Sequence, residues 1–136
     1  MRFGVDIPFV HHLGFELVLF DGGHSQIDYL PRPEHLNSFG VTHGGACMTL
    51  LDVTMAVAAR SVDKDMGVVT IEMKTTFMQA CRGRLESRGR LMHRTGSMAF
   101  AEGTIYDAEG RACAHAVGTF KYVKRPGAAQ ADATPA

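Results

Sequence analysis

One carboxylate stands where packing residues are expected. Residues 46–60 read ACMTLLDVTMAVAAR, small or apolar on nearly every side, which is the pattern of a helix buried all round. Asp52 sits in the middle of that run. An ionised carboxylate there loses hydration worth on the order of several kcal/mol unless partners replace the water. It is therefore a candidate base or nucleophile, with a structural aspartate bonding nearby backbone as the other reading. Just upstream, Gly44 and Gly45 precede the first helical turn, and Asn37, Gly40 and His43 lie in the loop that delivers the chain there. Two residues without Cβ let the backbone turn sharply and a ligand come close, and a helix start offers unpaired N–H groups at a positive dipole end. Such a turn can hold an oxyanion.

The spacing adds a constraint. Gly44 and Asp52 are eight positions apart, so at about 1.5 Å rise per residue their backbones lie roughly 12 Å apart along the axis. Side chains lean toward the N-terminus, but a carboxylate recovers only a few ångströms that way. One chain does not readily bring both groups to one carbonyl. A second copy of the helix running the opposite way, as in a two-fold dimer, would.

The remaining elements must carry this helix. Residues 13–20 (LGFELVLF) are strand-like, Asp21, Gly22 and Gly23 supply turn chemistry, and residues 25–30 alternate polar and apolar, so a hairpin is expected. Pro31 and Pro33 end the ladder and open the loop carrying Asn37. The helix follows, ending near Ser61. Beyond it, residues 68–78 (VVTIEMKTTFM) alternate with period two as a half-buried strand. Residues 84–94, 97–107 and 111–124 read as three more strands, separated at Thr95–Gly96 and at 108–110. Two strands, one long helix and four strands predict an α+β domain over 1–124, with an antiparallel sheet covering the helix. Residues 125–136 carry no large apolar group and are expected to form a disordered tail.

Composition bounds the rest. At 136 residues, 46% hydrophobic and 21% charged, the chain fits one domain with a real core. Fourteen basic residues balance fourteen acidic ones, so no global field favours nucleic acid or an anionic membrane. Cys47, Cys81 and Cys113 are odd in number and show no Cys-x-x-Cys pair, which points to neither a disulfide framework nor a thiolate zinc site. The histidines lack ligand spacing, so no metal is expected. With no signal-like leader and no apolar run long enough to span a bilayer, a cytoplasmic protein is expected.

The ordered set Asn37-x-x-Gly40-x-x-His43-Gly44-Gly45 followed by Thr49-Leu50-Leu51-Asp52 resembles the hotdog-fold acyl-CoA thioesterases of the phenylacetate-degradation type. Residues 67–78 and 107–123 resemble that family's corresponding strands. The resemblance implies a hotdog fold, a six-stranded sheet wrapped around one helix. It also implies dimers pairing into a homotetramer, and hydrolysis of acyl-CoA thioesters without a cofactor. It assigns Asp52 as nucleophile or general base and Gly44 as the amide polarising the carbonyl from the other subunit. Asn37 would place the carbonyl or the water, and Thr70 would join the carboxylate. His43 is assigned to positioning.

A thioester carbonyl is already electrophilic and thiolate leaves readily, so one carboxylate and one or two oxyanion donors suffice. The plainer readings are a tight turn for Gly44 and Gly45, a loop-bonding amide for Asn37 and an ordinary strand threonine for Thr70. Cys47, in the first helical turn, is a rival nucleophile without an adjacent base. Arg82, Arg84, Arg88 and Arg90 share one strand parity broken by Glu86. They form either a solvated face or, with Arg94 at the turn, a grip on coenzyme A phosphates. Gly45, Arg82, Arg84 and Arg94 are accordingly assigned to substrate binding. Two other functions fit less well: a catalytically silent acyl-CoA-binding domain, and a dehydratase or hydratase, which would pair a histidine such as His43 with a carboxylate.

Overall fold

The structure, a computed structural model, describes residues 3–125. The expected tail lies, from residue 126 onward, outside the described residues. A short helix α1, Pro8–Leu13, precedes strands β1, Glu16–Asp21, and β2, His24–Tyr29. A 3-10 turn at Pro33–His35 leads to the long helix α2, Gly44–Arg60. Strands β3 Met66–Phe77, β4 Leu85–Arg94, β5 Met98–Tyr106 and β6 Ala112–Lys124 follow. All six strands form one antiparallel sheet in the order β1-β2-β4-β5-β6-β3. Helix α2 touches every strand, so the sheet wraps around it in the hotdog arrangement.

The tightest seam is polar as well as apolar. The Thr54 hydroxyl donates to Leu50 O at 2.6 Å and lies 2.7 Å from Ser87 Oγ, while Ser25 Oγ donates to Thr54 O at 2.6 Å. These bonds stitch α2 to β2 and β4 and satisfy hydroxyls that would otherwise be orphaned. Gly89 makes the approach possible, because a Cβ there would meet Thr54 O at 2.8 Å. Leu50, Leu51, Met55, Ile105 and Phe120 fill the core around this seam.

Three expectations are corrected. Leu13 is the last residue of α1 and not the start of a strand. Pro8 presets the first turn, and Gly14, at φ 78°, ends it in the left-handed conformation, so β1 begins at Glu16. Helix α2 starts at Gly44 and is not buried all round. Met48 is 38% exposed, and Asp52, Val53 and Ala56 are only partly covered. These positions fall at helical spacing and form one stripe that a single sheet leaves open. Strand β3 is likewise less buried than its alternation implies: Val69 and Ile71 are exposed, because β3 stands at the edge of the sheet, with no further strand beside it among the described residues.

Candidate active site

The start of α2 is built by its cap. His43 occupies the N-cap position, and its Nδ1 accepts from the Gly45 N–H at 2.8 Å. The N–H groups of Ala46 and Cys47 donate to His43 O at 2.9 and 3.1 Å. That leaves the Gly44 N–H as the one amide of the first turn without an acceptor among the described residues. Gly45 is glycine for a packing reason: a Cβ would stand 3.1 Å from His43 Nδ1. Its amide serves the cap, so of the two glycines Gly44 has the donor to offer a ligand.

The loop presenting this turn is pinned on both sides. The His43 N–H donates to His35 O at 2.9 Å, and the Thr42 N–H to Cys81 O at 3.1 Å. Asn37 organises the loop through its backbone and its side-chain oxygen: its N–H donates to Val41 O, and Oδ1 accepts from Phe39 and Val41 N–H at 2.9 and 3.3 Å. The Nδ2 amino group has no acceptor among the described residues. Asn37 and Gly44 line one cavity of about 310 Å³ with Cys47, Phe77 and Cys81.

Asp52 opens elsewhere. Its Oδ1 accepts from Thr70 Oγ1 at 2.6 Å, and no backbone group bonds its carboxylate among the described residues. Strand β3 breaks register against β6 between Thr70 and Glu72, so a bulge at Ile71 immediately follows the threonine that reaches the helix. Desolvation by burial pushes the Asp52 carboxyl above the usual carboxylate range, and the Thr70 hydrogen bond pulls it partly back. The carboxylate lines a second cavity of about 430 Å³ with Val53, Ala56, Val68, Thr70 and, at its far end, Arg60. The two cavities share no residue.

The arginines assigned to coenzyme A line neither cavity. Arg84 pairs with Asp28 at 3.2 Å. Arg94 lies 3.7 Å from Asp63, with its Cζ 4.1 Å from the centre of the Tyr122 ring. Arg82 precedes β4, cut off from it by Gly83 at φ 64°, and borders a separate surface hollow with Asp107 and Arg111. The shared strand parity read from sequence therefore excludes Arg82. Arg88 pairs with Glu86 at 2.6 Å, and Arg90 with Glu102, so this face of β4 is laced with ion pairs.

Sequence distance concealed a thiol cluster. Cys47, Cys81 and Cys113 are free, buried and adjacent. A hydrogen bond from the Cys81 thiol holds Cys47 below the ordinary thiol range and pushes Cys81 far up, while burial raises Cys113 to about 11. Cys47 has neither an exposed sulfur nor a neighbouring base to activate it as a nucleophile.

A six-stranded antiparallel sheet wrapped around one long helix defines the hotdog class of fold. Residues 39–114 match the thioesterase superfamily, and the chain belongs to that superfamily. A candidate esterase of Saccharolobus solfataricus is 27% identical over 114 residues, covering 83% of this chain and 81% of the relative. Among solved structures, a conserved protein of Pseudomonas aeruginosa superposes with a TM-score of 0.84 at 26% identity, covering 90% of this chain and 98% of that one. The PaaI protein of the Escherichia coli phenylacetic acid degradation operon superposes at 0.81 with 18% identity, covering 87% and 86%, and shares the fold. Family membership supports thioester hydrolysis as the general chemistry. Among the described residues, no helix is long and apolar enough to cross a membrane.

Proposed function

We propose that this chain is an acyl-CoA thioesterase whose site joins Asp52 and Thr70 of one subunit to the Gly44 N–H and Asn37 of a second copy. One observation carries the proposal: the donors and the carboxylate, each with an unused hydrogen-bonding valence, open into different cavities of the same chain. The open stripe of α2 and the exposed β3 edge, with Val69 46% and Ile71 53% accessible, give that second copy an apolar surface to cover.

In the assembled site the thioester oxygen accepts from the Gly44 N–H and from Asn37 Nδ2, so the charge developing on it meets preorganised donors. Asp52 then has two routes. As general base it takes a proton from water, hydroxide adds to the carbonyl carbon, the C–S bond breaks, and the departing thiolate receives the proton. As nucleophile it forms an anhydride with loss of thiolate, and water hydrolyses that intermediate. Oxygen label entering the Asp52 side chain in a single turnover identifies the second route; label confined to the acid product favours the first, since water opening an anhydride at its acyl carbon would also label the product. His43 holds the Gly45 amide and thereby fixes the orientation of the Gly44 amide beside it.

A panel of aryl- and alkyl-CoA esters with a thiol-trapping readout tests the proposal. Free thiol is expected from the parent protein, with a loss of about 10²- to 10⁴-fold in kcat on Asp52→Asn while the fold survives. Binding of the panel without turnover, or full activity in Asp52→Asn, would overturn it.

A further inference from the structure

Arg60 closes α2 and is only 6% exposed. No carboxylate pairs with it among the described residues. Its Nη1 donates to Phe3 O at 3.2 Å, and its Cζ lies 5.3 Å from the centre of the Phe20 ring. Neither contact neutralises the charge. Nε is buried with no acceptor, and Nη2 has none among the described residues, so the Nε–Nη2 edge of the fork is unused. Nε itself is closed off, so Nη2 is the donor that an anion in the cavity can reach.

A second cation aggravates the imbalance. Desolvation and the nearby Arg125 charge both hold Arg60 below the ordinary arginine value. The Nε of Arg125 is buried and has no acceptor among the described residues. Lys124 lines the same cavity. Two partly dehydrated guanidiniums beside each other are poorly tolerated without an anion to share. Besides Asp52, the cavity wall carries one carboxylate, Asp6, which is exposed and pairs with neither arginine among the described residues.

This basic end and the reacting carboxylate belong to one cavity. Asp52 and Arg60 are eight residues apart on α2, about 12 Å along the axis, and the long Arg60 side chain shortens the gap by leaning back. Between them lie Val53, Ala56, Val57 and Val68. A carbonyl held at Asp52 would thus place an apolar chain along these residues and its far end at the guanidinium. Building on the thioesterase reading above, we propose that the cavity selects acyl thioesters bearing a distal carboxylate, which seats on the free Nη2 of Arg60 beside Arg125.

Matched pairs of substrates separate this anion from a coenzyme A phosphate reaching the same end. Glutaryl-CoA against pentanoyl-CoA, and adipyl-CoA against hexanoyl-CoA, differ only in the distal carboxylate. The parent protein is expected to favour the dicarboxylic member of at least one pair by roughly 10- to 100-fold in kcat/KM, chiefly through KM. Arg60→Gln should collapse that ratio toward one. Because Arg60 also holds Phe3, Arg125→Gln serves as a second variant, with Tm recorded for both, and should lower the ratio in the same direction. Equal rates within both pairs in the parent would overturn the proposal. So would a ratio that persists in the variants while both members of a pair lose activity, the behaviour expected of a phosphate site. Should no thioester be cleaved, the thioesterase reading fails and the anion site is judged separately by heat stability. Adipate, and not hexanoate, should then raise Tm in the parent but not in Arg60→Gln, and the absence of that difference would sink it.

Discussion

Asp52 is held in tension between burial, which favours its neutral form, and Thr70, which favours the charged one. Both routes proposed for Asp52 need the anion. Activity should therefore fall on acidification at a pH above that of an ordinary aspartate, and Thr70→Val should move this acid limb of kcat/KM to still higher pH. A pH–rate profile in which the limb stays put would refute the role given to Thr70. The sign for stability is opposite. A carboxyl whose folded pKa is raised stabilises the fold most while protonated, below its unfolded value, and loses that contribution as pH rises through the folded value. At neutral pH, Asp52→Asn should accordingly keep or raise Tm while cutting turnover; a marked fall in Tm would mean that the ionised carboxylate has structural partners. Asp52 was legible because a charge in an apolar run needs a cause. Thr70 was not, since a threonine is ordinary in a strand, and only the resemblance singled it out. Arg60 escaped notice for a similar reason: a basic residue in the last turn of a helix is the usual partner of its dipole, and its lack of a carboxylate shows only in three dimensions.

At the scale of elements, the fit of α2 against the sheet decides stability. Gly89 lies where β4 meets the Thr54 carbonyl and the Ser25 hydroxyl, so Gly89→Ala should destabilise by about 1–3 kcal/mol through overpacking. Gly96, with nothing within 4 Å of a added Cβ, should accept alanine within about 0.5 kcal/mol. Urea melts of both variants check the contrast, and a neutral Gly89→Ala would show that the helix has room to move. Five of the six strands emerged from the sequence within a residue or two of their bounds, because period-two alternation and glycine turns mark them strongly; β1 was the exception. Helix α1 did not emerge, since six residues are too few to show helical periodicity. Nor did the open stripe of α2. Its Met48, Val53 and Ala56 look like core residues in sequence, and only the layer architecture leaves them uncovered.

For the whole molecule, the proposed shared site turns on Gly44 and Asp52 lining two different cavities. The helical arithmetic from Gly44 to Asp52 already separated donor from carboxylate, and the cavities keep them apart. What sequence could not supply is the apolar surface left open to a second copy, because the exposure of Val69 and Ile71 follows from β3 standing at the sheet edge. Two defective variants test the sharing most directly. Asp52→Asn and Asn37→Ala, each expected to be nearly inactive alone, are co-expressed with different tags, and activity is measured on the mixed population. If each site draws its carboxylate and its amide from different subunits, half of the sites in every mixed dimer are intact, and random pairing should restore about a quarter of parental activity. If both groups come from one chain, every site carries a defect and the mixture stays as inactive as its parents, which would contradict the shared site.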